Sequence, residues 1–494
     1  MRKARSLLHA LLFIATVVQG HAWAAHSSTP SRATMQRVPT VPFGTQAIDL
    51  TLTDAVFLGL RGNRSIRSAY LDRVAQKFDL RVAEDYFSPK LNLTGRYTAA
   101  RNQDDRYRDR GITPVTTMRT EIGTQFSLAW TSQLNNANRA GRFRNDGVTF
   151  EVIQPLLRGA GREVATAPVR LARLIEQNNR LNLQATVSQK VTQIVQTYRQ
   201  LLRAQEQVRI ANDALARSRQ LLDINQALIA AGRMAQFDMV QTEADTATQE
   251  LNVENARNQL AARQLELLQL LALDLSNRIL AIDSLKAAAT HVSLQEAQSV
   301  ALAHQPDYLM QVIAAEHANI NLVVARNDRL WDVSVVGGAS QGRDRYAGDY
   351  GGASGRRWEA YAGIQVQIPI GDLSARQYEV HAEIDVETQA IRLKEAQQQL
   401  ERDVSDAVRD LGSRWRQYEI SVRARNLSLR KLEIEREKLQ AGRSSNFQVL
   451  SFETDLRNAE SSRLNALISY LDAQTELDQR LGMTLESWDI KLND

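Results

Sequence analysis

The sequence predicts a mostly α protein with a β component, built from one strand–long-helix unit that occurs twice. Three observations predict it: where the prolines and glycines fall, a heptad pattern in the stretches they leave free, and residue pairs recurring at fixed offsets.

Proline breaks helix interiors, and none occurs from residue 169 to 305 or after Pro369. Glycine is sparse in the same stretches: only Gly232 between residues 169 and 290, and only Gly412, Gly442 and Gly482 between 372 and 490. In the first stretch Val187, Ile194, Leu201, Val208, Leu215 and Leu222 recur every seven residues, with Val191 and Tyr198 in the intervening places. That spacing is a coiled-coil seam, and a helix from about residue 169 to 230 would run ~90 Å. Val404, Leu411, Tyr418 and Leu432 carry the same phase in the second stretch, broken once by Arg425.

The repeat is legible as paired residues. Leu52-Thr53-Asp54-Ala55 aligns with Leu294-Gln295-Glu296-Ala297, and Leu91, Leu93 and Gly95 align with Val333, Val335 and Gly337. Further along, Ala231-Gly232-Arg233 aligns with Ala441-Gly442-Arg443, and Phe237, Glu243 and Asp245 with Phe447, Glu453 and Asp455. Internal repeats of this kind imply one structural unit used twice. The first unit is expected over residues 48–290, with strands near 90–100 and 146–155 and a coiled-coil hairpin near 162–285. The second is expected over 291–485, with strands near 331–340 and 358–370 and a hairpin near 372–482. Short amphipathic helices near 51–87 and 293–328 open the units, and residues 486–494 form a tail.

The strand assignments rest on period-two alternation. Leu91 to Tyr97, Val148 to Val152, Val333 to Val335 and Tyr361 to Ile370 all alternate. Between them, residues 101–119 and 341–357 are rich in Gly, Arg and Asp and read as exposed loop tips. An extra alternating segment, Thr124 to Trp130, is followed by a polar run to Asn145. Its place, in the wall or above it, stays open.

Residues 1–24 read as a secretory signal, with Arg2, Lys3 and Arg5 before the apolar stretch Leu7 to Val18 and an Ala22-Trp23-Ala24 cleavage site. Residues 25–47 follow as an extended segment. Downstream, no stretch reaches the ~20 apolar residues of a spanning helix, so membrane entry would require a β-barrel. Four strands per chain cannot close one, because the smallest have about eight. Three copies would pool twelve, so the expected fold is a trimeric 12-stranded β-barrel continuous with a long α-helical barrel.

At this point the residues resemble a known family, the TolC-type outer-membrane efflux proteins. The resemblance rests on the duplicated Leu-x-x-Ala openers and on Gln154-Pro155-Leu156-Leu157-Arg158-Gly159-Ala160-Gly161 at the first strand-to-helix junction. Ile368-Pro369-Ile370-Gly371 at the second junction and the Ala-Gly-Arg reversals followed by Phe237 and Phe447 complete it. It implies a homotrimer in the outer-membrane lipid of a Gram-negative cell, with its helices in the periplasm. The partners implied are a periplasmic adaptor and an inner-membrane transporter, in a tripartite efflux pump or type I secretion system. Cargo would pass unaltered. By position, Gly232, Arg233, Asp238, Gly442, Arg443 and Gln448 fall at the periplasmic entrance where the adaptor docks. Asp238 matches an acidic latch position of the best-known member. Leu439 and Ser444 stand where that member has an aromatic residue and an Arg, and Gln448 and Ser451 replace its acidic ring.

Other readings stay open. Gly232 and Gly442 also suit helix caps without a contact role, and Asp238 suits a helix N-terminus. Trp130, Trp331 and Trp358 fit either an interfacial belt or loop packing. A soluble periplasmic coiled-coil scaffold is the rival from another class. No catalytic, metal or cofactor constellation is visible: there is no Cys, and no His pair has ligand spacing beside an acid. The net charge of +5 comes largely from the N-terminus and the two Arg-rich segments, so no nucleic-acid partner is expected.

Overall fold

The computed structural model describes residues 47–348 and 351–492. The expected signal segment, its cleavage site and most of the 25–47 segment lie outside the described residues. Two long helices organise the rest: α4 (Ala167–Ala230) and α8 (Ser374–Gln440). Each begins after a strand-closing proline; α4 carries Pro168 in its first turn, and both are otherwise free of proline. Each returns by a shorter helix, α5 (Phe237–Leu270) or α9 (Asn446–Leu481). The returning helices cover only the distal half of the long ones.

The proximal half is covered by the helix pairs that open each unit. These are α1 (Leu52–Gly62) with α2 (Arg64–Glu84), and α6 (Leu294–His304) with α7 (Pro306–Asp328). Thr51 caps α1 through a reciprocal box with Asp54, which satisfies backbone donors that the first turn leaves unpaired. Arg73 of α2 holds Glu176 of α4 in a buried two-pronged pair at 2.6 and 2.9 Å. Single-turn helices α3 (Arg162–Ala165) and α10 (Thr484–Ser487) and a 3-10 turn at Asp85–Phe87 complete the helical set among the described residues.

The heptad of α4 holds through Val187, Val191, Ile194, Tyr198 and Leu201, all fully buried. Beyond Leu201 it slips. Leu202, Ala204 and Ile210 are buried, and from Ala211 on the buried line runs Ala211, Ala214, Ser218, Leu221 and Asn225, one residue earlier than the expected Val208–Leu215–Leu222 line. A straight helix drifts against a seven-residue repeat, and α4 exchanges neighbours here, from α1 and α2 to α5 and α9. The largest apolar cluster lies at this waist. A two-stranded parallel patch, β1 (Ile48–Leu50) with β6 (Ile279–Ala281), caps it. Trp488, Ile490 and Leu492 of the C-terminal residues pack against it. The Tyr198 hydroxyl sits 2.6 Å from the Asp283 carboxylate and 2.7 Å from the Leu50 carbonyl. Burial, reinforced by Asp283, pushes that phenol well above its ordinary value.

The sheet corrects the sequence reading. It has six strands, not four, in the order β2-β3-β4-β5-β7-β8, all antiparallel. Here β2 is Lys90–Arg101, β3 Arg106–Arg119, β4 Gln125–Ala137, β5 Gly141–Pro155, β7 Asp332–Gly348 and β8 Gly351–Gln367. Segment 101–119, read as a loop, is mostly β3, and most of 341–357 belongs to β7 and β8. The extra Thr124–Trp130 segment begins β4, an integral strand between β3 and β5. Alternating Arg and Asp look like a loop tip in sequence. On a backbone that is fully paired they are simply the polar ends of strands.

The β3–β4 hairpin spans the full height of the sheet. Its turn docks on the strand-to-helix junction: Gly161 N–H donates to the Ile122 carbonyl at 3.3 Å, and Arg162 pairs with Glu121 at 3.1 Å. Gly123 has φ +95°, and a Cβ there would fall 2.3 Å from the Gly159 carbonyl oxygen. At the other end, Asp105 accepts backbone N–H groups from Asn138, Arg139 and Ala140 at 2.7–2.9 Å. These bonds tie the β2–β3 turn to the β4–β5 turn.

Candidate functional site

Directly opposed residues of neighbouring strands share a face, so the register sorts the whole sheet. One face carries Leu91 (β2), Thr116, Leu128, Phe150, Ala339 and Ala360 in a single row. The row above it includes Trp130, Val148, Gln341 and Trp358. Val335 opposite Ile364 and Val333 opposite Val366 lie below. From Trp358 to Val366 this uncharged band covers ~27 Å of strand. Its side chains are strongly exposed in the single chain: Trp358 is 80 % accessible and Ile364 71 %. A row above the tryptophans the chemistry changes to Ile112, Ser132, Asp146, Arg343 and Arg356, then to Tyr97, Arg110, Leu134, Arg144, Arg345 and Ser354.

The opposite face is mostly polar, with Val115, Ile153, Val336 and Phe143 as its main apolar exceptions. Its rows run Lys90–Thr117–Ser127–Glu151–Gly338–Tyr361 and Arg96–Gly111–Gln133–Asn145–Asp344–Gly355. Arg357 on this face pairs with Asp344 at 2.8 Å. The sheet is thus a two-sided wall, with one oily face and one wet face. Its edge strands β2 and β8 run in opposite directions, and among the described residues neither has a second strand beside it.

At the far end of the helices lie the reversals. Gly232 (φ +69°) and Gly442 (φ +72°) take the left-handed conformation that closes α4 and α8. At each tip the following arginine's backbone N–H reaches back to the helix, Arg233 to Leu228 and Arg443 to Lys438, both at 2.8 Å. The cap role is therefore observed for both glycines. The two tips are neighbours: a Cβ on Gly442 would lie 3.5 Å from the Arg233 guanidinium. Asp238 stands in the first turn of α5, and no ion pair joins it to Arg233 or Arg443 among the described residues. Gln448 lies in the first turn of α9, where its N–H bonds the Ser445 cap at 3.3 Å. Leu439 is buried with Leu221, Leu432, Val449 and Leu456, and the Ser444 hydroxyl donates to Glu435 at 2.6 Å. Within one chain both therefore hold the tip together. Among the described residues no cluster of three or more His, Cys, Asp or Glu is placed to hold a metal ion.

No protein-family model and no curated protein matches the sequence. Solved structures do match. The outer-membrane channel CmeC of Campylobacter jejuni aligns with a TM-score of 0.64 over 88% of this chain and 86% of its own, at 16% identity. VceC, an outer-membrane protein of Vibrio cholerae, aligns at 0.65 over 87% of this chain and 96% of its own, also at 16% identity. The MtrE outer-membrane channel of Neisseria gonorrhoeae, solved in its open state, aligns at 0.64 over 88% and 89%, at 15% identity.

The chain has the TolC-like outer-membrane channel fold. At this identity the architecture is what is shared. Within this channel fold the structure brings out a tip feature that sequence reasoning missed. Asn225 (α4), Thr242 (α5) and Asn446 (α9) form a buried polar knot just above the reversals. The Asn225 amide donates to Thr242 at 2.7 Å and to Asn446 at 3.0 Å, and Asn446 donates to Thr242 at 2.9 Å and to the Asp238 carbonyl at 3.2 Å. A second network joins α4, α8 and α9. Arg217 bonds Glu453 at 2.9 Å, Arg436 pairs with the same carboxylate, and Glu460 lies 3.5 Å from Arg217 and from Arg425. The sequence held no signal for the knot: Asn225 lies one residue off the expected seven-residue line and reaches the helix interface only because the phase slips, where a buried asparagine specifies register at a cost in stability.

Proposed function

We propose that this chain is a subunit of a passive exit duct in the outer membrane of a Gram-negative cell, assembled as a homotrimer. The observation that carries this reading is the two-sided sheet with unpaired antiparallel edges. A large oily face is disfavoured in water, and open sheet edges are not tolerated in lipid. Pairing β8 of one copy with β2 of the next removes the edges, turns the oily face to lipid and leaves the wet face lining a pore. Three copies of a six-stranded sheet bring eighteen strands, which replaces the twelve expected from four. Barrel diameter grows roughly linearly with strand number, so the exit would be ~1.5-fold wider than a twelve-stranded one.

The helices then project into the periplasm as a cylinder, with residues 231–238 and 441–448 at its entrance. There Gly232, Arg233, Asp238, Gly442, Arg443 and Gln448 would meet a periplasmic adaptor linked to an inner-membrane transporter. The assembly is an efflux pump or a type I secretion system. The two units, 48–290 and 291–485, are read as copies of one ancestor, supported by the recurring order of helix pair, strands, long helix and returning helix. A soluble scaffold gives no reason for an uncharged band of exposed tryptophan, phenylalanine and isoleucine.

Two experiments test the reading. The purified protein should form stable conducting pores in planar bilayers without turning over any solute. Cysteines placed at 233 and 443 should crosslink an adaptor in cells. Absence of conductance removes the duct, and failure of both cysteines to capture an adaptor removes the docking site.

A further inference from the structure

We propose that the oily face of the sheet ends in an arginine collar that binds the phosphate groups of phosphorylated glycolipid in the outer leaflet. The proposal rests on the outer-membrane reading above. The charge that the sequence places in two Arg-rich segments is not spread over the sheet. On the oily face it begins one row above Trp130 and Trp358 and is absent below.

Three features point to an anionic partner. First, like charges oppose each other directly. Arg343 faces Arg356, and Arg144 faces Arg345. Such pairs are unfavourable in a sheet without a counterion. Second, the only acid on this face in these rows is Asp146, and Arg144 already holds it at 2.7 Å. The acids of the same strand ends, Asp109 and Asp344, alternate to the wet face, where Asp344 is engaged by Arg357. Third, the height fits. Arg356 is two residues above Trp358, a step of ~7 Å along the strand. Tryptophan marks the headgroup boundary, so the guanidinium groups lie where headgroup phosphates would be. The planar guanidinium fork matches phosphate in two-pronged geometry. Arg110 lies over the Tyr97 ring, 5.6 Å from its centroid, along the same surface.

The test uses the full-length protein purified from outer membranes in mild detergent. Bound lipid is measured by native mass spectrometry, and rebinding by titration with diphosphorylated lipid A, its dephosphorylated form and phosphatidylethanolamine. The variants are R343Q/R356Q and R144Q/R345Q, with R96Q/R357Q on the wet face as control. The expected result is that wild type and control retain phosphorylated glycolipid, and each collar pair lowers its affinity at least ~10-fold, as lost charge-assisted hydrogen bonds require. Dephosphorylated lipid should bind as weakly to wild type as lipid A does to the variants. The proposal is overturned if the collar pairs bind lipid A as wild type does, if dephosphorylated lipid binds equally, or if the control loses as much. Planar-bilayer conductance is recorded on each sample. Normal pores without phosphate-dependent binding sink the collar alone, whereas absent pores in wild type sink the duct reading beneath it.

Discussion

Deleting residues 103–140 removes the β3–β4 hairpin and joins Asn102 directly to Gly141. Asn-Gly is the preferred pair for a two-residue hairpin turn. The splice sets Arg101 opposite Arg142, so Leu93 meets Phe150 and Leu91 meets Val152, all on the oily face. Strand directions are unchanged and β2 pairs with β5. Each copy then contributes four strands in place of six. Whatever the number of copies, the barrel perimeter falls by about one third, its diameter by about one third and its cross-section to roughly 0.45 of the original. Electron cryomicroscopy of detergent-purified particles reads the diameter directly, and polymer exclusion in planar bilayers reads the lumen. An unchanged barrel diameter in an assembled variant would refute the placement of β3 and β4 in the wall.

Other consequences are local. Asn225→Ala removes a buried donor from the Thr242 hydroxyl and from the Asn446 amide oxygen and should destabilise the tips by ~1–3 kcal/mol; hydrogen exchange should rise over 225–246 and stay unchanged at the waist. Glu176→Ala removes the carboxylate that takes both prongs of the buried Arg73 guanidinium and should cost ~3–5 kcal/mol, read as a lowered unfolding midpoint, with Glu176→Gln losing less. Gly482→Ala puts a Cβ 2.4 Å from the His304 carbonyl oxygen at a φ of +75°; a loss of ~1–3 kcal/mol is expected, and a neutral result would contradict the close approach. Burial raises the carboxyls of Asp472 and Asp478 above the ordinary value of 3.8, against the pull of Arg199. A carboxyl raised in the folded state contributes stability below its unfolded value and loses it as pH rises through the folded one. Asp478→Asn should therefore gain on wild type as pH climbs above 3.8, and a constant difference across that range would count against it.

The helical framework was legible because proline and glycine punctuate it: α4 and α8 fill the stretches those residues avoid. The phase slip after Leu201 was not, since a seven-residue pattern in sequence does not reveal where a helix exchanges neighbours. Strand β3 was missed because its oily-face residues above Ile112 are arginines, so alternation between apolar and polar disappears there. Pairing, not hydrophobicity, defines that half of the strand. At the tips the glycine reversals were plain from the repeat. The knot was not, because Asn225, Thr242 and Asn446 converge from three helices and no spacing links them.

The width of the six-stranded sheet bears on what lies beneath it. At ~4.8 Å between strands and a tilt near 40°, six strands span an arc of ~38 Å. The four helices below each sheet, packed ~8–10 Å apart, span ~32–40 Å. In the proposed assembly the two walls therefore match in girth, and a solute that clears the helical cylinder would meet no shoulder where helix gives way to strand.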